Sequence, residues 1–275
     1  MRVIYIAGTS HSGSTLLSLM LNANSEIMSV GEIQNLNRQL KIKPGQKSYP
    51  RCSCGASSLW QCNFWRAVDD YVRRKSGKSL LDLDMLDYSN AKDRCGANQV
   101  LFEAISSVSG KNFIVDSSKH PRRMASLMRI PDLNVYPVYL IRTPEGQINS
   151  VLKKRGGLVK PILYYELVNI QIRARLRSVP YSIVHYEDLI LKPEATLRAV
   201  LEPLGVSYER KQLQWTDCPA HDVAGNRMRR TKSNDLILDE SWKQDLKPLQ
   251  KYAIRCATIL SRMHIQQTGF VVQNQ

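Results

Sequence analysis

No apolar run in this sequence is long enough to cross a bilayer. The longest, Leu16 to Leu21 and Val135 to Ile141, fall far short of the ~18–20 residues a membrane helix needs. A secretory leader is not legible either, because the short apolar stretch Val3 to Ala7 runs into Gly8 where a cleavage site would stand. Aromatic residues are few, at 7%, and the basic residues are dispersed, which argues against the basic–aromatic surface of a nucleic-acid binder. Acids are also scarce: 24 Asp plus Glu stand against 39 Lys plus Arg, a formal net charge of +15. That excess favours an anionic partner, whether nucleic acid, acidic membrane or phosphate-rich small molecule. A composition of 43% hydrophobic and 23% charged residues excludes a disordered chain. At 275 residues the chain hides roughly three quarters of its unfolded surface and needs no disulfide or metal to hold a core.

What is present reads as strands alternating with helices, without an internal repeat. Runs rich in Val, Ile and Tyr predict strands at Val3–Ala7, Glu26–Val30, Phe113–Asp116, Val135–Arg142 and Tyr181–Tyr186. Helices are expected to start at Ser14 or Thr15, at Thr143-Pro144 (ending by Gly156) and at Lys192-Pro193 (ending by Gly205). A last long helix is expected over about Ser241–His264, burying Leu249, Tyr252, Ala253, Cys256, Ile259, Leu260 and Met263. The pattern predicts an α/β fold, a central parallel sheet of about five strands flanked by helices, opening on a phosphate-binding strand–loop–helix.

Residues 43–65 break the alternation, with Pro44, Gly45, Pro50 and Gly55, and are read as a long excursion from the sheet. Cys52, Cys54 and Cys62 fall in it, beside Trp60, Phe64 and Trp65. Zinc asks for four ligands and no histidine lies near in sequence; a disulfide from Cys62 to one of the other two is an equal rival. Reduced thiols packing the aromatics is the favoured reading, and no metal is assigned.

The most specific motif is Gly8-Thr9-Ser10-His11-Ser12-Gly13-Ser14-Thr15, set between a strand and a helix. Successive backbone N–H groups and a helix N-terminus make such a loop an anion cradle. The spacing is that of a nucleotide P-loop, but Ser14 stands where the lysine of an ATP- or GTP-hydrolysing loop would be.

The run His11-Ser12-Gly13-Ser14-Thr15-Leu16-Leu17 resembles the 5′-phosphosulfate loop of sulfotransferases that use 3′-phosphoadenosine 5′-phosphosulfate (PAPS). Most members carry lysine or arginine where this chain has His11, so either His11 is protonated or another cation supplies the charge. Ile141-Arg142-Thr143-Pro144 resembles the family's 3′-phosphate motif, and Ser150 follows Arg142 by eight residues, as the family's phosphate-binding serine does. Ser118-Lys119-His120-Pro121 is similar to a stretch of the tyrosylprotein branch whose lysine serves the sulfuryl group in flight, which implies that role for Lys119. Glu32 lies 21 residues beyond His11, the offset of that branch's general base. His120 is the rival base, since cytosolic members use a histidine; Glu32 is preferred. Tyr186-Glu187-Asp188-Leu189 resembles a family turn, with Tyr186 against the nucleotide. Gly225-Asn226-Arg227-Met228-Arg229-Arg230 is similar to a closing basic loop, with Arg227 and Arg229 as 3′-phosphate ligands.

The resemblance implies one sulfotransferase domain over 1–275. The cradle Ser10, His11, Ser12, Gly13, Ser14 and Thr15 would hold PAPS with Arg142, Ser150, Tyr186, Arg227 and Arg229, and Glu32, Lys119, His11 and His120 would be catalytic. It implies in-line transfer to a hydroxyl or amine of a small molecule or carbohydrate, with no metal required, because the cations do what magnesium does in kinases. Walls for the acceptor are expected from residues 33–100 and the helix near Pro161–Arg177. The excursion resembles one in bacterial members, which implies a bacterial cytoplasm; neither a nucleic acid nor a membrane is expected as partner. The alternatives are a P-loop small-molecule kinase lacking the lysine and, further off, a basic RNA-binding protein.

Overall fold

The computed structural model describes residues 1–42, 52–83, 85, 91–154 and 156–267, of which 91–94 and 265–267 by backbone alone. All five expected strands form: β1 (Arg2–Gly8), β2 (Ile27–Ser29), β3 (Phe113–Lys119), β4 (Asn134–Ile141) and β5 (Ser182–His185). They pair in parallel in the order β2-β3-β1-β4-β5. The central strand is buried on both faces, which is why it reads as an unbroken apolar run. Its Val3, Tyr5 and Ala7 enter one core layer and its Ile4 and Ile6 the other. Each fully buried isoleucine contributes roughly 1.5–3 kcal/mol.

The helices in chain order are α1 (Ser14–Asn22), α2 (Leu36–Leu40), α3 (Asn63–Ser76), α4 (Ala91–Ser109), α5 (Pro121–Leu127) and α6 (Pro144–Leu152). After them come α7 (Val159–Leu176), α8 (Tyr186–Leu191), α9 (Pro193–Leu201), α10 (Trp242–Asp245), α11 (Pro248–Ala257) and α12 (Ile259–Gln267). Trp65, Leu101, Phe102, Leu127 and Ile172, from α3, α4, α5 and α7, cover one face of the sheet. Leu16, Leu17, Met20, Leu189, Leu197 and Leu201, from α1, α8 and α9, cover the other. No helix among the described residues is long and apolar enough to cross a membrane. Residues 43–51 of the excursion, with Pro44, Gly45 and Pro50, lie outside the described residues.

The long C-terminal helix does not form as one piece. Pro248, which cannot donate a backbone hydrogen bond, opens α11 after a break at Leu246, and Thr258 separates α11 from α12. Its expected inner face is corrected too. Leu249, Tyr252, Cys256, Ile259, Leu260 and Met263 are exposed and Ala253 is half-buried, while Ile254, Thr258 and Ser261 are buried. A charge sets the rotation: Glu145 of α6 is only 4% exposed and draws Arg255, at 3.2 Å, and Arg262 onto itself. An unpaired buried carboxylate would cost more than leaving apolar side chains in water.

Candidate nucleotide and acceptor cleft

Every strand of the sheet ends at the same edge, and each sends a residue into one cleft of about 630 Å³. The loop after β1 supplies Ser10, His11, Gly13, Ser14 and Thr15; the segment after β2 supplies Glu32. The end of β3 supplies Lys119 and then His120; the turn after β4 supplies Arg142, with Ser150 from α6, and the turn after β5 supplies Tyr186. Ligands bind at this edge of open α/β sheets, where successive connections run to opposite sides of the first strand.

The loop is built as a cradle. His11 and Gly13 both have left-handed backbone, at φ 64° and 99°. A Cβ on Gly13 would stand 2.6 Å from the Tyr186 ring, so that position has neither the conformation nor the room for a side chain. α1 begins at Ser14, no acid occupies its first turn, and Ser14, Thr15 and Leu16 of that turn line the cleft. Ser12 does not line the cleft: it is fully buried, and its Oγ has no hydrogen-bond partner among the described residues. Ser10 is fastened on both sides, its N–H to the Tyr164 hydroxyl at 3.1 Å and its carbonyl by Gln147 Nε2 at 2.8 Å.

Burial lowers the pKa of His11 from its ordinary value, and Lys154, Arg142 and Lys119 lower it further. Burial and the neighbouring cations thus favour the neutral imidazole in the ligand-free loop. The positive charge beside it belongs to Lys154, whose Nζ lies 3.4 Å from His11 Nε2. Lys154 lies outside every motif of the sequence, in the turn after α6, and only the fold brings it to the loop.

Arg142 and Ser150 converge as their spacing suggests. Arg142 Nη1 donates to Ser150 Oγ at 3.3 Å and to the His11 carbonyl at 3.2 Å, and its guanidinium lies 4.5 Å from the centre of the Tyr186 ring. Its other arm is held by Asp239 Oδ2 at 2.9 Å. Burial alone would raise the Asp239 carboxyl, but hydrogen bonds from Arg142 and Ser241 outweigh it and bring the pKa down to about 2. Asp239 thus sits as a carboxylate on the arginine, another partner the sequence did not point to.

In the same cleft Lys119 Nζ meets Glu32 Oε1 at 2.5 Å, while Asn35 Nδ2 donates to Glu32 Oε2 at 2.8 Å. Lys119 is aimed by strain. The β1–β3 register slips between Tyr5 and Ala7, and Lys119 takes φ 68°. A fully buried pair holds that turn: Arg123 Nε to Asp116 Oδ2 at 2.8 Å. His120 lines the cleft, but its Nδ1 accepts from the Arg122 N–H as the cap of α5, and burial lowers its pKa.

The basic loop near the end is placed differently from expectation. Gly225, Asn226 and Met228 line the cleft, and the Asn226 N–H donates to Thr15 Oγ1 at 3.1 Å. Arg227 is exposed and outside the lining; Arg229 is buried behind it and donates to the Asp222 carbonyl at 2.7 Å. The backbone of this loop meets the cradle, while the Arg229 side chain braces the loop. Gln34, and Tyr164 and Val168 of α7, line the cleft from the two segments expected to wall an acceptor.

No protein-family model matches the chain, and no curated protein sequence matches it significantly. Among solved structures it is similar to the sulfotransferase domain from the Synechococcus PCC 7002 olefin synthase: 19% identity, TM-score 0.54, covering 95% of this chain and 94% of that one. It is likewise similar to the sulfotransferase domain from the curacin biosynthetic pathway: 18% identity, TM-score 0.57, covering 94% and 97%. The likeness spans nearly the whole length on both sides, and the chain has the fold of the sulfotransferases.

Proposed function

We propose that residues 1–275 form a single PAPS-dependent sulfotransferase domain acting on a hydroxyl or amine of a small molecule or carbohydrate in a bacterial cytoplasm. One observation carries the reading: the cradle, the Arg142–Ser150 pair and the Lys119–Glu32 pair open on one cleft. The donor set suits PAPS. Gly13 holds the left-handed backbone that a cradle needs, Ser14 and Thr15 at the start of α1 line the cleft, and Arg142 is already closed on a carboxylate where a phosphate would compete.

When bound, PAPS supplies an activated sulfuryl group with adenosine 3′,5′-bisphosphate as its leaving group. The backbone N–H groups of residues 12–15 hold the 5′-phosphate, and Arg142 with Ser150 holds the 3′-phosphate in exchange for Asp239. Lys119, with Lys154 behind His11, offsets negative charge as it develops on the bridging oxygen. Glu32 takes the proton of the attacking acceptor, aligned by Asn35. Glu32 is preferred over His120 because it adjoins Lys119, whereas one nitrogen of His120 is committed to a helix cap. The biosynthetic settings of the two relatives by fold agree with a small acceptor.

Thermal-shift measurement with adenosine 3′,5′-bisphosphate, ATP–magnesium and RNA tests the reading. The bisphosphate alone should stabilise, by about 2.7 kcal/mol at a hundredfold excess over its Kd. Stabilisation by ATP–magnesium instead would favour the kinase, and salt-sensitive stabilisation by RNA a nucleic-acid function.

A further inference from the structure

Away from the cleft, the fold completes a set of ligands that the sequence left at three. Cys52, Cys54 and Cys62 stand together, and His221 arrives from 159 residues beyond Cys62. The four ligand atoms all lie within 4.8 Å of one another. Cys52 Sγ and Cys54 Sγ are each 3.6 Å from Cys62 Sγ, and His221 Nδ1 lies 3.3 Å from Cys62 Sγ and 3.7 Å from Cys52 Sγ. Tetrahedral zinc, with bonds of ~2.3 Å to sulfur and ~2.0 Å to nitrogen, sets its ligands ~3.8 Å apart for two sulfurs and ~3.5 Å apart for sulfur and nitrogen. A disulfide would instead draw one pair to ~2.05 Å and leave a thiol and the imidazole without a role.

The surroundings hold the imidazole in place. Trp65 Nε1 donates to the His221 carbonyl at 2.9 Å, and the Phe64 ring stacks on the imidazole at 4.8 Å between centres. Cys52 and Cys62 are buried. We propose that Cys52, Cys54, Cys62 and His221 bind one zinc ion as a closed structural site. Binding displaces the three thiol protons, His221 gives the Nδ1 lone pair as a neutral imidazole, and the site carries one net negative charge. Four protein ligands leave no open position for a reacting water, so the site holds structure.

What it holds is the strap that reaches the cradle. Next to His221, Asp222 accepts from Ser29 Oγ at 2.7 Å, and the Val223 N–H donates to the Val30 carbonyl at 3.1 Å. Three residues further on, Asn226 bonds Thr15. Zinc therefore joins the cysteine segment to the strap, and the strap to the mouth of the cleft.

The test is elemental analysis of the full chain, purified without a polyhistidine tag from zinc-supplemented medium. The expected result is about one zinc per chain, falling below ~0.1 in a Cys54→Ser/Cys62→Ser double variant. His221→Cys, which offers a fourth thiolate, should retain the metal. In the wild-type chain, cobalt(II) should give thiolate charge-transfer bands and the strong visible absorption of a tetrahedral site. Folded wild-type protein without zinc, zinc retained in the double variant, or an unreduced mass lighter by two hydrogens would each overturn the proposal. The readout is metal content, so the outcome stands apart from whether sulfuryl transfer is observed.

Discussion

The cleft and the cysteine cluster are built on opposite plans. The charged and cradle groups of the cleft come from short segments fixed by strand ends: residues 8–15 at the end of β1, Glu32 after β2, Lys119 closing β3, Arg142 after β4 and Tyr186 after β5. Parallel pairing brings all five ends to one edge, so the site follows from sheet topology plus local motifs. None of the cluster's four ligands lies in a strand. Three ligands come from one loop and the fourth from a strap on the far side of the sequence. Substitutions in the first region should therefore change binding or chemistry, and those in the second should change metal content and anchoring.

The sharpest break of that contrast is Glu32→Gln. Turnover should fall by about 10²–10⁴-fold with bisphosphate affinity unchanged by calorimetry; full turnover would remove Glu32 as the base. Next in size, Arg142→Ala should weaken the 3′-phosphorylated nucleotide by roughly 10–100-fold, the worth of one or two charged hydrogen bonds. The same variant should bind adenosine 5′-phosphosulfate, which lacks that phosphate, as the wild type does; equal losses for both ligands would show that Arg142 acts on the loop as a whole.

A matched pair of glycines compares the two regions directly. Gly13 and Gly55 have nearly the same φ, 99° and 95°, but an added Cβ meets Tyr186 at 2.6 Å in the cradle and, among the described residues, nothing within 4 Å beside the cysteines. Gly55→Ala should cost only the left-handed strain, about 1 kcal/mol in chemical denaturation. Gly13→Ala should cost more than that and abolish bisphosphate stabilisation. Equal behaviour would mean that Tyr186 yields freely. The smallest effect is expected for Asp239→Asn, which should tighten bisphosphate binding by about 2–5-fold, the scale of a partly exposed ion pair; weaker binding would make Asp239 a support of Arg142 instead of its competitor.

Much of this was legible from the residues. The five strands were, because doubly covered strands are apolar throughout, and so was the convergence of Arg142 with Ser150, because a strand end and two helical turns fix their relative reach. Lys154, Asp239 and His221 were not, since each reaches its partner across at least 97 residues of chain. The C-terminal helix was misread for a related reason. Its apolar spacing is real, but the rotation is decided by Glu145, more than 100 residues earlier. The resemblance to a closing basic loop implies Arg227 and Arg229 as anion ligands, whereas the fold puts Gly225, Asn226 and Met228 of that loop at the cleft.

The contact between Arg142 and Asp239 has a practical consequence at the bench. A guanidinium only 7% exposed keeps a counter-charge without any ligand, so the protein carries its own substitute for a buffer anion. Purification and storage should need neither phosphate nor sulfate. Either salt would instead compete for the arginine and depress apparent nucleotide affinity, which makes a chloride buffer the right reference condition for every titration above.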